Sequence, residues 1–528
     1  MPTEVTAPPL RSWLGLIAVS LGVALIVVDL TIVNVIVAPI IADLSITSTE
    51  AQWIQESYAI VFAALLLLTG RLSDLYGARR LFLLGLVVFG VTSLLAAAAP
   101  NGALLIGARF LQGIGGAMIL PTSLALVNAT FTGQARGRAF AVWGSTIGAA
   151  AAVGPLLGGW LADFSWRWAF GINIPLVVVI MVCVSVYLPT APRVRGRVDG
   201  IGAVLSALGL GMLSFALIEG RSHGWILTTE PLSITGFTWS SGPSPVLIAF
   251  VLAAVTLLTF WRRQDALARA GAEPLMDVRL FGIDSFRNGN IVTLVVGLGE
   301  FGIIAVLPLW LQFTLDYSAL QAGLALVPLA VGSFFASGAS FSMTASVSAL
   351  AQVRIGLFLE AAGLMLLGLF AAIDTTWWPI ALALFVYGIG VGFATAQVTN
   401  VVLADVPAER AGQGSGLQSA ARELGSALGI AVVTTVFFSA MDSELRDRLT
   451  EDRDRLAGAV TDSAGSMIPA LAADPRTAEA ATAAREAMTS GVGFAAYICA
   501  GLLALALVTT VFMPAAVPEE KEPVPDPS

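Results

Sequence analysis

Gly70-Arg71-Leu72-Ser73-Asp74-Leu75-Tyr76-Gly77-Ala78-Arg79-Arg80 separates two apolar runs, residues 51–70 and 80–99. Each run is about twenty residues long, enough to cross a hydrocarbon core of roughly 30 Å as a helix. The polar stretch is therefore read as the turn between two membrane spans. Gly70 and Gly77 permit a tight turn and close helix approach. Asp74 can accept hydrogen bonds from Arg71 or Arg79 and from an exposed helix N-terminus. Simple anchoring by positive charge would explain the arginines, but not the spacing of the glycines and the aspartate.

The pattern repeats outward in both directions. Spans are expected near 13–41, 51–70, 80–99, 103–127, 138–161, 168–188, 199–218, 245–261, 288–313, 320–342, 355–373, 377–404, 414–438 and 491–513. They are numbered here as helices 1 to 14. Only 12% of the 528 residues are charged and 57% are hydrophobic, with a mean hydropathy of +0.86, whereas soluble domains carry about 25% charge. The chain reads as an all-α integral membrane protein. The first run is too long for a cleavable signal core and contains Asp29 and Asn34, so it is read as a retained helix. Cys183 and Cys499 fall inside spans, which predicts no disulfide framework. His223, the only histidine, is placed in a loop, leaving no metal constellation and no sign of a membrane metalloenzyme.

Loops after the even helices 2, 4, 6 and 8 hold most of the arginines, including Arg136, Arg193, Arg262 and Arg279, while those after helices 1, 3, 5 and 7 offer only Arg167 and Arg221. The positive-inside rule makes the even loops and both termini cytoplasmic. Loop 440–490 disagrees, because it is outside in this scheme yet carries arginines among its acids. Its sequence predicts a charged surface helix or hairpin, read as solvated or alternatively as a substrate lid. The Pro-rich acidic tail 514–528 is expected to be disordered.

Gly70 to Arg80 resembles the signature loop of the major facilitator superfamily, in which this cluster latches the two halves together on the cytoplasmic side. Three more stretches are similar to motifs of its fourteen-helix drug:proton antiporter subfamily: Asp29-Leu-Thr-Ile-Val-Asn34, Arg109-Phe-Leu-Gln-Gly-Ile-Gly-Gly116 and Gly154-Pro155-Leu-Leu-Gly158-Gly159. Trp166-Arg-Trp-Ala-Phe-Gly-Ile-Asn-Ile-Pro175 adds to the match. The Gly154 element is associated in the superfamily with exporters. Ala141 and Ala150 stand where the family often has Gly, and loop 340–354 retains only Arg354 of a second signature copy. The latch of the second half is accordingly expected to be weaker or built differently.

The resemblance implies a six-helix bundle in 1–198, a linker with extra helices 7 and 8 in 199–287, and a second six-helix bundle in 288–513, rocking about a central site. It implies a proton-coupled exporter of small lipophilic or cationic compounds, of the type that confers antibiotic resistance, in a bacterial inner membrane. The alternative is a dedicated exporter of one metabolite or antibiotic. A small molecule and the bilayer are the expected partners, nucleic acid is not, and a monomer is expected. No Gly-x-x-x-x-Gly-Lys-Ser/Thr signature is present. Protons are the expected coupling ion, with no other cofactor and no metal. Selectivity rings of a channel and reactive clusters of an enzyme are not seen.

Charges near a helix centre cost roughly 2.5–3.5 kcal/mol on insertion scales and so mark functional positions. At about 1.5 Å per residue, Asp29 lies some 24 Å from the inner end of helix 1, while Arg109 and Glu56 lie about 9 and 8 Å from the outer ends of helices 4 and 2. All three fall in one layer, so a proton site of Asp29, Glu56 and Arg109 is predicted; a static ion pair is the alternative. Glu300, near the midplane of helix 9 without a local partner, is the second candidate for protonation. Glu360 and Arg422 are at a common depth and are expected to form a structural bridge. Asn34, Trp53, Tyr58, Gln112, Trp310, Gln312, Tyr387, Gln397 and Asn400 are the candidates for the cavity wall.

Overall fold

A computed structural model describes residues 9–46, 48–162, 164–188, 196–234, 237–344, 346–449 and 453–512. The tail 514–528 and the side chains of Asn34, Pro155 and Arg221 lie outside the described residues. The helices are α1 (Leu10–Leu44), α2 (Ser48–Tyr76), α3 (Ala78–Ala97), α4 (Gly102–Thr130), α5 (Gly133–Ala162), α6 (Arg167–Gly171), α7 (Asn173–Tyr187), α8 (Gly200–His223) and α9 (Pro245–Arg269). They continue with α10 (Asp284–Phe313), α11 (Ala319–Ala325), α12 (Val327–Met343), α13 (Ala349–Phe370), α14 (Trp377–Val402), α15 (Ala411–Arg448), α16 (Arg453–Asp462), α17 (Ile468–Ala473) and α18 (Ala478–Thr509).

Thirteen segments among the described residues are long and apolar enough to cross a membrane. α5, with 30 residues, occupies the place of helix 5 and is walled in by α1, α4, α12 and α14. Expected helices 6 and 10 are each broken, as α6 with α7 and α11 with α12. Helices suit this solvent because hydrocarbon offers no partner to an unpaired backbone group. Where helices begin near water, side chains cap them: Asn101 accepts from the Leu104 amide at 2.9 Å and Ser348 from the Ala351 amide at 3.2 Å. At Gly77 the backbone adopts φ +92°, which breaks α2 from α3 at the predicted turn. Val178, Val182, Phe334, Phe335 and Leu258 are exposed, giving the apolar exterior of an all-α multi-pass membrane protein.

α1, α2, α3, α4, α5 and α7 pack among themselves, as do α10, α12, α13, α14, α15 and α18. The seam between the groups is made by α5 against α12 and α14 and by α2 and α4 against α15. α8 and α9 form a pair, and α8 rests on both α2 and α15. Its base is fixed by Asp199, which accepts from Arg263 at 2.8–3.0 Å and from Gln264 at 2.9 Å. Burial opposes ionisation of Asp199, yet the Arg263 and Gln264 hydrogen bonds hold its carboxyl below the ordinary range. At the far end, a two-stranded hairpin, β1 (Leu232–Ile234) with β2 (Phe237–Trp239), follows α8. His223 closes α8 and is buried, so its placement in a loop is corrected.

The exceptional loop also takes shape. α15 continues past its apolar part to Arg448, α16 and α17 follow, and α18 begins at Ala478. Arg446 pairs with Asp442 at 2.7 Å and with Asp454, Arg448 with Glu444 at 2.8 Å and with Glu486, and Arg485 with Asp316 at 2.7 Å.

Gly154 shows why the exporter-like element needs its first glycine. A Cβ there would collide with Thr31 Oγ1 and sit 3.2 Å from the Val28 carbonyl, so α1 and α5 touch two residues after Asp29. Gly154→Ala is expected to lower stability by about 1–3 kcal/mol through overpacking. Thr31→Ala, by vacating Oγ1, should recover part of that loss in thermal unfolding of the detergent-solubilised protein.

Candidate functional site

Asp29 on α1 and Arg109 on α4 are each only 1% exposed and form an ion pair. The pair is enclosed by amides. Gln112 donates to Asp29 Oδ1 at 2.9 Å and accepts from Arg109 Nη1 at 2.8 Å, and Asn173 on α7 donates to the same Oδ1 at 2.9 Å. Ser93 on α3 accepts from both amides at 3.0 and 3.2 Å. Arg109 Nε donates to the Ile54 carbonyl of α2 at 3.0 Å, and the Tyr58 ring lies 4.5 Å from its guanidinium carbon. Five helices thus meet on one charge pair, and every Asp29 oxygen is satisfied. Ser93 and Asn173 were not among the predicted residues. Asn173 lies in the Trp166 to Pro175 stretch, where an amide inside an apolar run was the available signal.

Glu56 does not join this cluster. It turns to the other side of α2 and hydrogen-bonds Glu219 of α8, because Ile54 and Tyr58 already occupy the face toward Arg109. Trp53, one turn before Glu56, likewise stacks on Phe215 of α8 at 6.4 Å.

The second half holds a comparable pair with different membership. Arg422 on α15 donates to Glu300 on α10 at 2.8 Å, both buried, so Glu300 has a partner and the expected Glu360–Arg422 bridge is replaced. Glu360 on α13 is fully buried with neither oxygen hydrogen-bonded, and the Tyr387 hydroxyl on α14 is also without a partner. Depth along separate helices matched Glu360 to Arg422, but rotation about the helix axes gives the arginine to α10.

Of the cavity candidates, Tyr58, Gln112, Trp310, Tyr387 and Gln397 are completely buried and pack rather than line an open space. Trp310 donates to Thr489 at 3.0 Å and Gln312 to its own helix at Pro308. Gln397 and Asn400 belong to the seam: Arg136 of α5 donates to Asn400 at 3.1 Å, and Gln397 donates to Ser340 at 2.8 Å and to the Gly137 carbonyl at 3.4 Å.

The loop from Gly70 to Arg80 bridges the halves. Asp74 accepts from the Gly412 and Gln413 amides at 2.7 and 3.0 Å, at the N-terminus of α15, where the helix dipole favours an anion. Gly70 lets this happen, since a Cβ there would stand 2.9 Å from the Gly416 Cα. The arginines serve other partners: Arg71 pairs with Glu273 at 3.3 Å, Arg79 donates to the Ser185 carbonyl at 2.6 Å, and Arg80 is exposed. Asp277 supports the same face. Its burial raises the cost of ionisation, but hydrogen bonds from Arg279 and the charge of Arg410 hold its carboxyl below the ordinary range. In the second half Arg354 donates to Thr510 at 2.7 and 3.1 Å, tying α13 to the end of α18.

A family model described as the Major Facilitator Superfamily matches residues 19–430. The chain belongs to the major facilitator superfamily. Within it, the chain is 32% identical to the multidrug efflux pump LfrA of Mycolicibacterium smegmatis, over 96% of this chain and 97% of that protein. It is 33% identical to the puromycin resistance protein pur8 of Streptomyces alboniger, over 87% and 89%. The human organic anion transporter MFSD10 shares the fold, with a TM-score of 0.60 and 16% identity over 96% and 100%. These likenesses place the chain in the superfamily's drug-efflux family, whose members are membrane transporters of small molecules.

Two outcomes follow from the geometry. Arg422→Met leaves Glu300 as an uncompensated buried charge and is expected to cost about 3–5 kcal/mol. The Arg422→Gln, Glu300→Gln double variant should regain most of it in the same unfolding measurement. Asp74→Ala orphans two amides of α15 and should lengthen spin-label distances across the seam between the α2–α3 loop and the start of α15. Distances matching the wild type would exclude the latch.

Proposed function

We propose that the chain exports small lipophilic or cationic organic compounds in exchange for protons, by alternating access, and that it is a transporter rather than an enzyme. The face bearing Asp74 and the arginine-rich loops is the cytoplasmic one, with both termini on it. The observation that carries the reading is the buried Asp29–Arg109 pair at the junction of five helices. Protonating Asp29 converts a balanced pair into an isolated buried cation, a change of about 3–5 kcal/mol when one partner of such a pair is removed. A proton crossing a potential of 100 mV supplies roughly 2.3 kcal/mol. The two magnitudes are of one order, so loading a proton from outside is able to shift the packing of α1 and α4. Gly154 transmits the shift, because α5 touches α1 at Thr31 and forms the seam with α12 and α14.

Export of a single metabolite or antibiotic is the second reading, favoured by the likeness to the puromycin resistance protein pur8 at 33% identity, beside 32% for the multidrug pump. Energised inverted vesicles separate these possibilities. Wild-type protein should concentrate several lipophilic cations and lose that ability when the proton gradient is collapsed, whereas a dedicated exporter would concentrate one compound of a panel. Asp29→Asn should reduce accumulation to the level of vesicles lacking a gradient. Full gradient-driven accumulation in this variant would remove Asp29 from the mechanism.

A further inference from the structure

A second titratable cluster lies between α2 and the inserted helix pair. Glu219, 3% exposed, and His223, 7% exposed, face each other one turn apart on α8, with His223 Nδ1 2.9 Å from Glu219 Oε2, an ion-pair distance without hydrogen-bond alignment. Glu56 of α2 hydrogen-bonds Glu219, and its Oε2 is buried without a partner in the protein. Two carboxyl groups can hydrogen-bond only with a proton between them, and one such proton leaves the pair with a single negative charge. An imidazolium at His223 neutralises it. The cluster sits at the end of α8 away from the latch, beside the turn from Gly224, and the His223 carbonyl is fixed by the Ser244 hydroxyl at 3.2 Å and the Thr229 amide at 3.1 Å.

Other charges around it are few. Glu230, from the loop after α8, acts on His223. α9 carries no charge before Arg262, near its opposite end. α15 brings Arg422, committed to Glu300, and Glu423. Glu50 on α2 lies against Gly102 of α4.

We propose that Glu56, Glu219 and His223 form a proton-binding site of their own, separate from Asp29 and Arg109, which takes protons from the face opposite the latch. α2 is the wall common to both sites: its Ile54 carbonyl holds Arg109 on one side and its Glu56 holds Glu219 on the other. Occupancy of the cluster sets how firmly α8 grips α2, and through it the packing around Arg109. This consequence for export rests on the proton-driven reading; the existence of the site does not.

The single histidine makes the site directly observable. Full-length protein labelled with nitrogen-15 histidine and reconstituted in lipid nanodiscs gives one imidazole to titrate by NMR. Its midpoint should lie above the ordinary value of 6.5, since the Glu219 carboxylate 2.9 Å from Nδ1 favours the imidazolium against the opposing effect of burial. Glu219→Gln should shift the midpoint down toward that value. Glu56→Ala should shift it up, by leaving Glu219 with an unshared charge, while Glu56→Gln, which still donates to Glu219, should stay near the wild type. A wild-type midpoint at 6.5, or one indifferent to Glu219→Gln or to Glu56→Ala, overturns the proposal, and does so without reference to transport. With transport intact, His223→Gln should displace the dependence of export on pH at that face, and an unmoved profile would remove the cluster from the transport cycle.

Discussion

Hydrocarbon has no water with which to solvate a charge, so each charged side chain inside this protein must be answered by another side chain. Asp29 meets that demand with Arg109 and two amides, Glu300 with Arg422, and Glu56 with Glu219. These pairings decide which helices stay adjacent. α1, α2, α3, α4 and α7 converge on the first pair, α10 and α15 on the second, and α2 and α8 on the third. A transporter built this way carries its buried charges and its packing in the same contacts, since changing the charge of one member changes the adhesion of two or more helices.

The halves differ in how completely that demand is met. Around Asp29 each polar atom of the carboxylate is occupied, whereas Glu360 and the Tyr387 hydroxyl are sealed in without partners. Small residues make both arrangements possible. A Cβ added at Gly390 would stand 2.7 Å from the Cγ of Glu360, and one at Gly363 2.6 Å from the Tyr387 Cα, so glycine at both positions lets α13 and α14 approach closely.

The sequence read well where the signal was local. Spans were legible from apolar runs, the turn at Gly77 from its glycine, and the depth of Asp29 and Arg109 from counting residues along a helix. Rotation about a helix axis was not legible. Glu56 and Arg109 share a level, as do Glu360 and Arg422, but the first pair are turned apart by the Ile54 and Tyr58 face of α2, and Arg422 is claimed by α10. Nor could the chain alone say where the inserted pair would dock, so a partner for Glu56 on α8 stayed hidden. His223 was lost for a related reason: glycine at 224 ends the helix after the histidine, not before it.

α15 runs unbroken for 38 residues, a rod of about 57 Å. Its first amides grip Asp74, its middle carries Arg422, and its last turns hold Arg446 and Arg448 among the acids of the loop beyond. A stiff rod pinned at three heights cannot swing at one end alone. Release of its foot would therefore tilt the whole lever, with the ionic collar around its head as the fulcrum.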